Sequence, residues 1–136
     1  MPAKLTKDSI DLGIVVSDSE RALAFYRDTL GLPVVEAWDE PAGRGAILDA
    51  GRATLELLST DQARRIDAVE VGRDVAGRVR VALEVDDSAA MGERLAEAGA
   101  ERLGGPVETP WRHRNVRLVA PDGLQLTLFT VLGEDE

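Results

Sequence analysis

Hydrophobic and polar positions alternate with period two over residues 10–16 (IDLGIVV) and again over 79–85 (VRVALEV), the pattern of half-buried strands. In the first run Ile10, Leu12, Ile14 and Val16 share one face, and Asp11, Gly13 and Val15 share the other. Each run leads into an acidic helix start, Asp18-Ser19 or Asp87-Ser88, whose side chains can cap the first turn. After the first cap, Ala22, Leu23, Phe25, Tyr26 and Leu30 form an apolar stripe that predicts Phe25 and Tyr26 in the core. Gly31 and Pro33 end that helix, and strands are predicted near 34–38, 45–48 and 54–58. After the second cap a helix over 88–98 stops at Gly99. Gly104, Gly105, Pro106 and Pro110 then break residues 106–114 into a loop or an irregular strand pair. Pro121-Asp122-Gly123 predicts a turn before a last alternating strand at 125–129 (QLTLF).

The two halves follow one plan. Residues 46–50 (AILDA) answer 116–120 (VRLVA), and 54–58 (TLELL) answers 125–129. Two copies are too few for a solenoid. The prediction is therefore an α+β fold of two tandem βαβββ modules, about 9–60 and 78–131, forming a curved mixed sheet around a cavity. Residues 1–136 read as one domain. The connector, 61–77, is long for a plain loop, so a short helix or a functional flap is expected there.

Composition narrows the function classes. There is no cysteine, which removes disulfides, thiol catalysis and thiolate metal sites. The formal net charge of −9 opposes nucleic acid and anionic lipid as partners. No apolar run approaches the ~20 residues that span a bilayer, and the start lacks the apolar segment of a signal peptide. A cytoplasmic protein is expected. The closing GEDE reads as a solvated tail. Phosphate-binding glycine loops, a Gly-x-Ser-x-Gly elbow and HExxH are all absent from the sequence.

The run IDLGIVVSDSERALAFYRDTLGL, with the later VALEVDD and APDGLQLTLF, resembles the vicinal oxygen chelate superfamily of glyoxalases, bleomycin-resistance proteins and extradiol dioxygenases. Phe25-Tyr26, Leu30-Gly31-Leu32 and Pro121-Asp122-Gly123 stand at that family's FY, LG and PDG elements. The resemblance implies a glyoxalase/bleomycin-resistance-like fold and a homodimer. It also implies a divalent metal held by His and Glu on the opening and closing strands of the modules. Carried over residue by residue, those metal positions fall on Asp11, Glu56, Arg80 and Thr127. Arginine is cationic and has no lone pair to offer, and threonine is a weak neutral donor. No catalytic metal and no other cofactor is therefore expected, although Asp11 and Glu56 alone could hold a hard cation with several waters. An ion pair of Arg80 with Glu56 or Asp11 is the expected occupant.

Alternation aims Asp11, Glu56, Arg80 and Thr127 at the concave side of the sheet, away from their apolar flanks. A second cluster, Trp111 and His113 among arginines, sits in the segment PWRHRN, which is expected to be a pocket-lining loop away from the four mapped positions. Trp38 and Phe129 are the remaining aromatics available to a planar ligand. Candidate ligand-binding residues are thus Asp11, Trp38, Glu56, Arg80, Trp111, His113, Thr127 and Phe129, with no catalytic residue assigned. The expected function is sequestration of a small organic molecule. A metal-dependent lyase, isomerase or dioxygenase of the same superfamily and a partner-binding regulatory domain are the alternatives.

Overall fold

A computed structural model describes residues 2–29, 31–121 and 123–133. Leu30 of the apolar stripe, Asp122 of the turn and residues 134–136 of the acidic tail lie outside the described residues. The first module comprises β1 (Asp11–Val16), α1 (Ser19–Leu23), β2 (Val34–Glu40), β3 (Gly43–Asp49) and β4 (Thr54–Ser59). A connecting helix, α2 (Thr60–Glu70), leads to the second: β5 (Val79–Glu84), α3 (Ser88–Glu97), β6 (Glu101–Glu108), β7 (His113–Val119) and β8 (Gln125–Val131).

The strands form one mixed sheet in the order β2-β3-β4-β1-β5-β8-β7-β6, so the modules meet where opening strands β1 and β5 pair antiparallel. Within each module the opening and closing strands pair in parallel. The helix-facing side carries two apolar clusters. Ala46, Leu48, Leu55 and Leu57 pack beneath Leu23 of α1, and Val85, Val116, Leu118 and Leu128 beneath α3. The acidic starts act as read: Asp18 accepts from Arg21 N and Asp87 from Ala90 N, both at 3.0 Å. Among the described residues no helix is long and apolar enough to cross a membrane.

One local expectation is corrected, and two that left alternatives open are resolved. After Leu23 the first helix widens into a π-helical stretch, Ala24–Thr29. The wider turn breaks the 3.6-residue stripe, leaving Phe25 60% exposed while Tyr26 still packs on the first cluster. Residues 106–114 take the second alternative, an irregular strand pair. β6 runs to Glu108 through register shifts near Gly104, and His113 already belongs to β7. Of the two alternatives for the connector, the short helix is found: eleven residues, Thr60–Glu70, capped by Ser59, whose Oγ accepts from Gln62 N.

That helix lies across the concave face and ties the modules together. Its first turn rests on Gly43 of β3 and its last on Gly104 of β6. A β-carbon at either glycine would collide with α2 main-chain atoms, at Gln62 and at Glu70 respectively. Gly104→Ala is accordingly expected to lift the end of α2 and cost about 1–3 kcal/mol, the usual range for overpacking. Chemical denaturation of the variant measures it.

Candidate functional site

The sheet's concave face and α2 enclose a cavity of about 590 Å³. All eight residues singled out from the sequence line it: Asp11, Trp38, Glu56, Arg80, Trp111, His113, Thr127 and Phe129. The register explains the convergence. Gly13 of β1 is paired with Glu56 on one side and Arg80 on the other, while Asp11 and Thr127 both neighbour Ala82. Small residues at Gly13 and Ala82 keep the floor low between the longer side chains.

The aromatic walls are fixed by their surroundings. Trp38 covers Gly45 of the adjacent strand, and its indole Nε1 donates to Gln62 Oε1 of α2 at 3.1 Å. His113 stacks on Phe129 with ring centroids 5.0 Å apart and planes 19° apart. His113 was expected in a loop away from the mapped positions. As the first residue of β7 it instead belongs to the same cavity. Trp111, 38% exposed, stands at the mouth beside Pro110.

Charge in the cavity is distributed unlike the expected ion pair. Asp11 Oδ1 is held by Lys7 Nζ at 2.8 Å and accepts from Thr54 Oγ1. Arg80 has no carboxylate within ion-pair distance and no hydrogen-bond partner among the described residues. Burial lowers the Arg80 pKa, and the nearby Arg117 charge adds to this. The charges of Glu70, Glu56 and Asp67 oppose both effects. Burial likewise raises the pKa of Glu56, against the pull of Arg80 and with the push of Asp11. The expected Arg80–carboxylate contact is therefore absent because Glu56 and Arg80 stand on opposite flanks of Gly13 and Asp11 is engaged elsewhere.

The buried ion pair lies two strands away, beyond β8. Arg117 of β7 is fully buried and donates from Nη1 to Asp67 Oδ1 (2.9 Å) and from Nη2 and Nε to Glu70 Oε1 (2.9 and 3.0 Å). Asp67 Oδ2 also accepts from the backbone N–H groups of Val75 and Ala76, both at 2.7 Å, and Asn115 Nδ2 donates to Glu70 Oε2 at 2.7 Å. Sequence reasoning missed this network. Its signal was present as polar Asn115 and Arg117 alternating with Val116 and Leu118, and as Asp67 and Glu70 on the same helix face as Ala63 and Ile66.

Burial lowers the His113 pKa, against the raising pull of Glu84, Asp11 and Glu70. A group whose folded pKa is depressed gives up stability as the pH falls from its ordinary value, about 6.5, through the lower folded value, since the unfolded chain binds the proton more readily. The stability of His113→Gln should therefore vary less with pH than that of the parent in this window, as read from denaturation midpoints at a series of pH values.

The donor set does not suit the divalent cation of the resembled family. Arg80 brings a positive charge to one of the four positions, Asp11 is already bonded to Lys7 and Thr54, and Thr127 Oγ1 is buried with no hydrogen-bond partner among the described residues. Among the described residues no three His, Cys, Asp or Glu side chains are grouped to hold an ion.

Comparison with known proteins agrees with this geometry at the level of fold. The sequence profile described as Glyoxalase/Bleomycin resistance protein/Dioxygenase superfamily matches residues 9–128. The glutamate mutase epsilon subunit of Haloarcula marismortui is 35% identical over 122 residues, which are 87% of this chain but 24% of that protein. The chain thus spans about a quarter of that relative's length. Among solved structures, a hypothetical protein of Bacillus halodurans superposes with TM-score 0.68 at 21% identity, covering 100% of this chain and 99% of that one. Methylmalonyl-CoA epimerase from Mycobacterium tuberculosis superposes with TM-score 0.64 at 19% identity, covering 98% and 94%. With paired βαβββ modules, a shared concave cavity and a matching profile over most of its length, the chain belongs to the Glyoxalase/Bleomycin resistance protein/Dioxygenase superfamily.

Proposed function

We propose that the protein binds a small organic acid in the concave cavity, holding the acid group on Arg80 and using no catalytic metal. The observation that carries this reading is the Arg80 guanidinium: it lines the cavity, is partly buried, and has no partner among the described residues. A cation in that setting is costly unless a counter-charge arrives, and a carboxylate or phosphate brought by a ligand supplies one with two parallel hydrogen bonds. Arg80 thus takes the electrostatic role that a metal would otherwise fill, orienting an anion at the centre of the sheet. Trp38, Trp111 and the His113–Phe129 stack provide apolar area for the rest of the molecule.

The test is a thermal-shift screen of chelator-treated protein against small carboxylic acids, phosphate esters and neutral isosteres. A ligand bound only by the folded state stabilises it by about 2.7 kcal/mol at a hundred times its Kd. Acids should raise the melting temperature and their neutral amides should not. Equal shifts by acid and amide, or shifts that need an added divalent cation, would overturn the reading.

A further inference from the structure

We propose that the cavity takes a zwitterionic ligand of the amino-acid type, with its acid group on Arg80 and its ammonium group on Glu56. This rests on the acid-binding reading above and adds the second charge, which the cavity's own charge distribution calls for.

Glu56 and Arg80 flank Gly13 in adjacent strands, so their α-carbons lie about 10 Å apart, two strand spacings of about 4.8 Å. Both side chains line the one cavity, and neither is paired with the other or with any described residue. Glycine between them leaves open the gap that a third side chain would fill. The register therefore presents an unpaired cation and an unpaired carboxylate facing one space.

The surrounding charges argue against a ligand of single sign. Glu36 and Glu40 project from β2 toward the same cavity, so a plain anion seated on Arg80 would meet repulsion from them and from Glu56. A plain cation seated on Glu56 would meet Arg80, and Arg65 of α2 also lines the cavity. Asp11 adds little to either case because Lys7 and Thr54 already satisfy it. A molecule carrying both charges within a few ångströms relieves the desolvation of both side chains, and each charge of the ligand offsets the repulsion felt by the other. An α-amino acid has that spacing. Its side chain would then extend along the aromatic wall of Trp38 and Phe129.

Calorimetric titration of the full chain with common α-amino acids, each beside its deaminated acid and its decarboxylated amine, tests this. L-phenylalanine, 3-phenylpropanoate and 2-phenylethylamine form one such set; L-leucine, 4-methylpentanoate and isoamylamine form another. At least one amino acid should bind tenfold or more tighter than either of its single-charge analogues. In Glu56→Gln the advantage over the deaminated acid should fall to near unity. If deaminated acids bind the parent protein as tightly as the amino acids, the zwitterion proposal fails while acid binding stands. If only amines bind, or nothing in the panel does, both fail. The ratio measured on the parent protein decides the matter even if the variant does not fold.

Discussion

Replacing Arg117 with alanine should destabilise the protein by about 3–5 kcal/mol, as for breaking a buried ion pair by removing one partner. The guanidinium is 0% exposed and lies between Asp67 and Glu70, both of which are almost wholly withdrawn from water. Its removal leaves two carboxylates in a medium that cannot solvate them, and the cost is set by that abandonment more than by the attraction lost. Loss of the cation should also loosen α2, because Asp67 and Glu70 are the charges by which the helix is fastened to β7. Chemical denaturation gives the magnitude. Hydrogen exchange gives the location, with protection expected to fall first in α2. The companion variant Glu70→Gln should cost less, since Gln keeps an acceptor for Arg117 and leaves Asp67 to balance the charge. If Arg117→Ala loses less than about 1 kcal/mol, the network is not holding the connector to the sheet.

Arg80 should behave in the opposite way. Arg80→Met is expected to leave stability within about 0.5 kcal/mol of the parent or to raise it, because no ion pair is broken and a desolvated cation is removed. Binding of an acid ligand should weaken by about 2–5 kcal/mol, which is thirtyfold or more, as when one partner of a buried charged contact is truncated. The contrast between the two arginines is the substance of the account. Arg117 is a structural cation with its partners supplied by the chain, and Arg80 is a cation whose partner must come from outside. If Arg80→Met lost stability on the scale of Arg117→Ala, Arg80 would be part of the fold's own charge network.

Much of the architecture was legible in the sequence because alternation reports which side of a strand is buried. Leu12, Ile14, Leu55, Leu57, Leu126 and Leu128 marked the helix-facing side, which put Asp11, Glu56, Arg80 and Thr127 on the other. The repeat of that pattern pointed to two modules in one curved sheet, while the pairing of the opening strands β1 and β5 at its centre was not legible in the sequence. Other features depend on tertiary contacts that one-dimensional periodicity does not carry. The connector reads as polar because its buried face holds Gln62, Asp67 and Glu70 beside Ala63 and Ile66, and those acids are tolerated only because Arg117, some fifty residues on, meets them. Phe25 fits a 3.6-residue stripe and leaves the core only because the helix widens after Leu23. The expected pairing of Arg80 failed for a lateral reason: proximity in a sheet depends on how many strands separate two residues, and Gly13 stands between Arg80 and Glu56.

Titration of chelator-stripped protein with an acid ligand from the screen, carried out on the parent and on Arg80→Met with and without added Mn²⁺ or Zn²⁺, distinguishes an acid held by Arg80 from one held by a metal ion. The parent should bind at full affinity without metal, added cation should gain nothing, and Arg80→Met should lose the acid in both conditions. Affinity that appears only with a stoichiometric divalent ion and survives the loss of Arg80 would contradict acid binding by Arg80.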